Sequence, residues 1–257
     1  MRMMAKFPEQ GEAWVTVSAS PTHPHVYILQ LHRAPDNRFN RGFCDALISA
    51  YHYVNTLNSA DQPIALVTTG TGKFYSNGLD FSEFNQGFIP FIQEAYYPML
   101  KAWMSAPFVT VAALNGHTFA GGMMFAMAHD YRVMRSDRGF ICMNEVDLKI
   151  PMAPGMVGMV RAKISDPVIL RNCLLQGKRF SAVEALSAGI IDEVVDVRGR
   201  EDDVVEKAVA LAEKWRSKGS DAYAALKQEL WRDAMHYLNS TDMGFVDLVF
   251  AENKPHL

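Results

Sequence analysis

Cysteine is scarce. The chain has three in 257 residues, at Cys44, Cys142 and Cys173. The number is odd and no two lie close in sequence, so neither a disulfide framework nor a zinc knuckle is expected. Metal-ligating residues are equally dispersed. His23 and His25 stand together among the eight histidines, but nothing nearby completes a ligand set, and no metal is expected. Long hydrophobic runs are also missing. A membrane span takes about 18 apolar residues, whereas the longest stretch here, Phe119 to Ala128, has ten and two of them are glycine. No dense basic run occurs, and 25 Lys and Arg against 28 Asp and Glu leave a net charge of -3. That charge pattern lacks the electrostatic footprint of a nucleic-acid binder. The N-terminus has no apolar h-region and little arginine, so an intracellular protein is expected.

Apolar residues make up 49% of the sequence and charged residues 21%. A chain of this composition buries enough apolar surface to offset its ordering entropy and is not disordered. Its length suits one large domain, or one with a small appendage. We expect a core over residues 1–200 and a C-terminal helical region over 201–257. Methionine is abundant, at 15 residues.

Apolar spacing predicts strands at Val26 to Leu31, Ile64 to Thr69, Phe108 to Leu114 and Tyr131 to Met134. It predicts helices at Gly42 to Leu57, Pro98 to Ser105 and Met123 to Ala128. Strands alternating with helices indicate an α/β fold. The C-terminal third reads as helical. Asp166-Pro167 is a cap with proline at the first helical position, and Ser181 with Glu184 forms a capping box closed by Gly189. The charges from Arg198 to Asp203 read as a solvated connection. Beyond them, Val204, Val205, Ala208, Leu211, Ala212 and Trp215 form an apolar stripe.

Two glycine-bearing segments stand out. One is Lys73-Phe74-Tyr75-Ser76-Asn77-Gly78-Leu79-Asp80, after a strand, where Asp80 or Ser82 can cap a following helix. The other is Ala120-Gly121-Gly122-Met123, after the Asn115-Gly116 turn and at a helix start. Glycine there permits close backbone approach to a ligand, and unpaired amides at a helix N-terminus favour negative charge. Neither segment has the glycine pattern of a dinucleotide fold or a P-loop.

Together with Phe140 to Pro151 and SAVEALSAGIIDEVV at Ser181 to Val195, these segments resemble the crotonase, or enoyl-CoA hydratase/isomerase, superfamily. SNGLD together with HDYRVMRSDRGFICMNEVDL looks most like the plant-type peroxisomal Δ3,Δ2-enoyl-CoA isomerases. The resemblance implies an α/β spiral of ββα units with a C-terminal helical oligomerisation region. It also implies an acyl-CoA thioester substrate, with coenzyme A as part of the substrate and no separate cofactor. The backbone amides of Leu79 and Gly121 then form an oxyanion hole. Ser76, Asn77, Gly78, Asp80, Gly122 and Met124 are the substrate-binding candidates, and Phe39 and Asn40 fall where the family places a CoA-contacting turn.

The carboxylates separate the reactions. Hydratases of this family have two glutamates. One of those positions is Met124 here and the other is Glu145. An isomerase needs one base to carry a proton between C2 and C4, so Glu145 is the expected proton shuttle and Met124 is expected to exclude water. Asp147 is a weaker second acid. The expected activity is the conversion of 3-enoyl-CoA to trans-2-enoyl-CoA in fatty acid β-oxidation. Alternatives are an enoyl-CoA hydratase, an acyl-CoA hydrolase, or a non-catalytic acyl-CoA-binding protein. A homotrimer or hexamer follows from the family. The stripe from Val204 to Trp215 and the aromatics Trp231, Tyr237, Phe245 and Phe250 would supply the contact. Pro255-His256-Leu257 is a variant of the peroxisomal address, with the cytoplasm as the other location. Met123, Met124, Met143, Met152, Met156 and Met159 are expected around the acyl pocket, since flexible thioethers suit variable chains.

Overall fold

The computed structural model describes residues 4–196 and 203–247. Its frame is a seven-stranded sheet. The strands are β1 (Met4–Phe7), β2 (Val15–Ala19), β3 (Val26–Leu31), β4 (Ala65–Thr69), β6 (Val109–Leu114), β8 (Tyr131–Arg135) and β10 (Glu193–Val195), in that spatial order. The first three pair antiparallel, and β3 onward pair parallel. A second, parallel sheet holds β5 (Phe74–Ser76), β7 (His117–Phe119) and β9 (Ile141–Cys142).

The ten helices are α1 (Arg41–Thr56), α2 (Ser82–Phe91), α3 (Tyr97–Met104), α4 (Gly121–Ala128), α5 (Pro154–Lys163), α6 (Pro167–Leu174), α7 (Ala182–Ser187), α8 (Asp203–Trp215), α9 (Asp221–Leu230) and α10 (Arg232–Asn239), counted among the described residues. A π-helical turn, Ile92–Tyr96, joins α2 to α3. Three successive turns of chain therefore run long strand, short strand, helix: β4-β5-α2, β6-β7-α4 and β8-β9-α5. This is the expected ββα spiral with helices toward the C-terminus.

Parallel strands buried on both faces read as continuous apolar runs, because each face must be covered. The strands β4 and β6 show this. Leu66, Ala112 and Leu114 join the core beneath α1, α3 and α4, while Ala65, Val67, Val109, Val111 and Ala113 join a second core on the other face. That second face is closed by α8, through Val204, Ala208, Val209, Leu211 and Ala212. The stripe expected to serve oligomer contact thus completes the core of the single chain. The expected boundary near residue 200, most of the charged connection, Phe250 and the C-terminal tripeptide lie outside the described residues.

The caps form as their side chains dictate. Asp166 accepts hydrogen bonds from the Val168 and Ile169 amides at 2.7 and 3.0 Å. Ser181 and Glu184 form both halves of the capping box. Ser181→Ala is expected to cost about 1 kcal/mol, read as a lowered midpoint in thermal or urea unfolding with activity unchanged.

Candidate active site

The two glycine segments meet face to face. Gly78 has φ +87, and a Cβ placed on it would lie 3.0 Å from the Ala120 Cβ and 3.2 Å from the Gly121 nitrogen. A Cβ on Gly122 would lie 2.4 Å from the Ser76 carbonyl oxygen. Side chains at these positions would push the segments apart, which explains the glycines.

Local hydrogen bonding leaves two amides free. Phe39 bridges Gly78 and Asp80: its N–H donates to the Gly78 carbonyl and its carbonyl accepts from the Asp80 N–H, both at 2.8 Å. In such a parallel bridge the intervening residue turns its own N–H the other way, and the Leu79 amide has no acceptor among the described residues. At the start of α4, the Met123 and Met124 amides return to the Ala120 carbonyl at 2.9 and 3.2 Å. The Gly121 amide is left without an acceptor among the described residues, as the first turn of any helix requires.

Beside them lies a cavity of about 130 Å³. Arg38, Asn77 and Asn144 supply its polar lining, with Glu145 the one acid. Leu79, Ala120, Leu148, Ile150, Pro151, Phe88 and Met156 supply apolar lining, and the exposed Phe81 stands at its edge. A larger open groove of about 470 Å³ runs along α5 and α10. Its lining of Arg161, Glu229, Arg232 and Asp233 includes none of the candidate residues, whereas Asn77, Leu79 and Glu145 line the smaller cavity.

Glu145 follows β9 on a tight turn, whose Leu148 and Ile150 amides both donate to the Glu145 carbonyl. The residue is half-buried, yet its Oε2 atom is fully buried with no hydrogen-bond partner. Burial pushes its pKa up to about 7 against the modest opposing pull of its own backbone amide, because an apolar surrounding disfavours the charged form.

The other candidates fall into two groups. Asn77 lines the cavity and is braced by donating its Nδ2 to Asp36 at 2.7 Å. Ser76 is buried and spans the loop, donating to the Asn37 carbonyl at 2.7 Å and accepting from the Gly78 amide. Asp80 pairs with Arg33 at 2.6 Å and accepts from the Ser82 amide and hydroxyl. Burial alone would raise its pKa, but those bonds outweigh it and hold the carboxyl below its usual range. Neither Ser76 nor Asp80 is among the lining residues. Gly122 and Met124 are buried on α4 and serve packing there.

Several expectations are corrected. Phe39 is fully buried between Phe43 and Phe125, with centroids 5.5 and 5.4 Å away. Asn40 caps α1 by accepting from the Phe43 amide. Both side chains hold the fold, and neither is among the lining residues of the cavity. Asp147 is exposed and its carboxylate lies against Gly177. Of the methionines expected around the pocket, Met156 alone lines it; Met123, Met124, Met143 and Met159 are core. Arg38 went unselected among many basic residues, since its place at the cavity depends on contacts with Asp36, Phe81 and the Leu79 carbonyl. Among the described residues no group of three His, Cys, Asp or Glu is placed to hold a metal.

The chain belongs to the family described as enoyl-CoA hydratase/isomerase, whose pattern matches residues 22–246. It is similar to enoyl-CoA delta isomerase 3 of Arabidopsis thaliana, with 32% identity over 224 residues, covering 84% of this chain and 92% of that one. It is equally similar to the peroxisomal enoyl-CoA delta isomerase 2 of the same plant, at 32% over 239 residues, covering 89% and 96%. Among solved structures, the apo enoyl-CoA isomerase of Mycobacterium tuberculosis matches with a TM-score of 0.79 and 22% identity, covering 93% of this chain and 99% of that chain. The human mitochondrial delta3-delta2-enoyl-CoA isomerase matches with a TM-score of 0.74 and 21% identity, covering 93% and 95%. At those identities the structures speak for the fold, and the site must speak for the reaction.

Proposed function

We propose that the protein is a Δ3,Δ2-enoyl-CoA isomerase that converts 3-enoyl-CoA to trans-2-enoyl-CoA in fatty acid β-oxidation. One observation carries this reading. The cavity beside the two free amides holds one acid, Glu145, with a buried, unpartnered oxygen, and the position where family hydratases keep a second acid is the buried Met124.

The chemistry follows from that asymmetry. The thioester oxygen accepts from the Leu79 and Gly121 amides. Removing a proton from C2 sends negative charge onto that oxygen, and each fixed donor contributes about 2.7–4 kcal/mol as the charge develops. Glu145, ionised, takes the C2 proton. As the dienolate's electron pair shifts, Glu145 returns a proton to C4, and the double bond moves into conjugation. Hydration would need a second carboxylate to position and deprotonate water, and the cavity lining supplies none among the described residues. Asn77 and Gly78 flank the thioester and pantetheine. Coenzyme A arrives as part of the substrate, and no further cofactor enters the reaction.

The raised pKa sets the pH dependence. Glu145 must lose its proton to act, so kcat/KM for 3-hexenoyl-CoA is expected to rise with pH and reach half its plateau near 7. A profile already flat from pH 5 upward would exclude Glu145 as the base in this environment.

Two further assignments rest on the family. The protein works as a homotrimer or hexamer, for which the exposed Leu226 and Leu230 of α9 and the exposed Val183 and Leu186 of α7 offer apolar contact surface. Sedimentation equilibrium reads this directly. The peroxisome is its site of action, supported by the peroxisomal isomerase relative.

A further inference from the structure

We propose that Tyr96 is a positioning residue whose hydroxyl holds Gly121 so that the Gly121 amide stays aimed at the thioester oxygen. This rests on the isomerase reading above and names what keeps its oxyanion donor in place.

The Tyr96 hydroxyl is buried and donates to the Gly121 carbonyl at 2.6 Å. Its fit is close: a Cβ on Gly121 would lie 2.9 Å from that hydroxyl and 2.9 Å from the Leu79 Cδ2. The ring is packed against Phe39, with centroids 5.5 Å apart, and against Phe91, 6.2 Å apart. Its rotamer is therefore fixed by neighbours, as a precise donor requires. Burial, with Cys44 and Glu145 nearby, holds the phenol well above its usual range, so it remains a hydrogen-bond donor.

Local backbone geometry aims it. The Tyr97 amide donates to the Ile92 carbonyl, the i→i+5 bond of a π turn. Tyr96 meets Gly121 on α4, and the next residue, Tyr97, meets Gly155 on α5, where an added Cβ would lie 2.8 Å from the Tyr97 ring and hydroxyl. An ordinary α turn separates consecutive side chains by about 100°, and one residue's change of register would take both off their targets.

Gly121 needs such a hold because the residue before it is strained. Ala120 has φ 51 and ψ -124, a conformation that costs a residue with a Cβ about 1–3 kcal/mol. Rotation of the Ala120–Gly121 peptide would relieve the strain and turn the Gly121 N–H out of the cavity, and the Met123 and Met124 amides on the Ala120 carbonyl oppose it. Glycine has no side chain to fix the next peptide plane. The Tyr96 hydroxyl on the Gly121 carbonyl does, so the backbone is held on both sides of the Gly121 Cα.

The test is Tyr96→Phe, which keeps the ring packing and removes one oxygen. Using 3-hexenoyl-CoA, kcat is expected to fall about 10–100-fold, below the 10²–10³ for outright loss of a donor. KM should stay within about threefold. Bound 2,4-hexadienoyl-CoA, whose absorbance moves to longer wavelength when its carbonyl is polarised, should show a smaller red shift. Tyr97→Phe serves as the control and should leave both readouts unchanged. A lowered melting point with unchanged kcat and red shift would overturn the proposal. So would a shifted acid limb with an unchanged red shift, which would put the hydroxyl's action on Glu145. If wild-type protein fails to isomerise 3-hexenoyl-CoA, the isomerase reading falls, and the red shift still reads the donor geometry on its own.

Discussion

Glu145→Gln is expected to lose activity and gain stability. Without a base, isomerisation of 3-hexenoyl-CoA should fall by at least about 10²–10⁴-fold. KM should change little, since the amides of Leu79 and Gly121 are untouched. The stability change has the opposite sign. The Glu145 pKa is raised from 4.5 in an unconstrained chain to about 7 in the fold. Between those values the folded state binds more protons than the unfolded state, so stability falls as pH rises through that window. Above pH 7 the full cost of holding a buried carboxylate is present. Gln at the same position carries no charge and removes that cost, on the order of 2–3 kcal/mol after allowance for the residue's partial exposure. Thermal melts at pH 8 should place Glu145→Gln above wild type, and the gap should close toward pH 4.5. A mutant that melts lower at pH 8, or retains activity, would contradict this assignment. On the proposed function, this carboxylate is a stability liability kept for its chemistry.

Gly122→Ala is expected to damage both fold and function. The added methyl would lie 2.4 Å from the Ser76 carbonyl oxygen, 2.9 Å from the Ser76 Cβ and 3.0 Å from its carbonyl carbon. Two of these three atoms are backbone, so no side chain can rotate away. The helix α4 and strand β5 must separate. Overpacking of this kind costs about 1–3 kcal/mol, occasionally more, which in a chain of this size lowers Tm by roughly 3–10 °C. The same separation moves the Gly121 amide relative to Leu79, and a displacement near 1 Å can cost about 10²-fold in rate. Gly189→Ala is the contrast. Its methyl meets nothing within 4 Å, so it should pay only the penalty of its φ of +67, about 1–2 kcal/mol, and keep its activity. Full activity and an unchanged melt for Gly122→Ala would mean that the two segments are not packed as described.

What the sequence made legible was local or carried by motif. The caps at Asp166 and Ser181 form because each side chain satisfies amides two or three residues away. The long strands β3, β4, β6 and β8 were visible as apolar runs, since both faces of β4 and β6 are covered. The short strands β5, β7 and β9 have two or three residues each, too few for any period to register, and they exist by pairing with one another. β1 and β2 carry no continuous apolar run, because β1 is the half-exposed edge strand and β2 alternates buried with half-buried residues. The destination of α8 was invisible because an apolar stripe reads the same whether it meets its own sheet or another subunit.

Within the site, the divide runs between backbone and side chain. Leu79 and Gly121 were placed by motif, and their free amides follow from turn geometry. Glu145 was selected by its position in the family motif. Arg38 and Tyr96 were not, because their roles depend on partners 41 and 25 residues away. The methionines taught the reverse lesson. Their clustering beside both motifs suggested a pocket, yet most fill the core, where an unbranched thioether packs irregular space. Met124 keeps its meaning as the missing acid while serving as packing on α4.

The central claim is that one glutamate beside two free amides moves a double bond and does not add water. The most direct measurement compares, in one preparation, the rate of trans-2-enoyl-CoA formation from 3-hexenoyl-CoA with the rate of hydration of crotonyl-CoA. The account predicts rapid isomerisation and little hydration. Hydration of crotonyl-CoA as fast as the isomerisation, or faster, would contradict it.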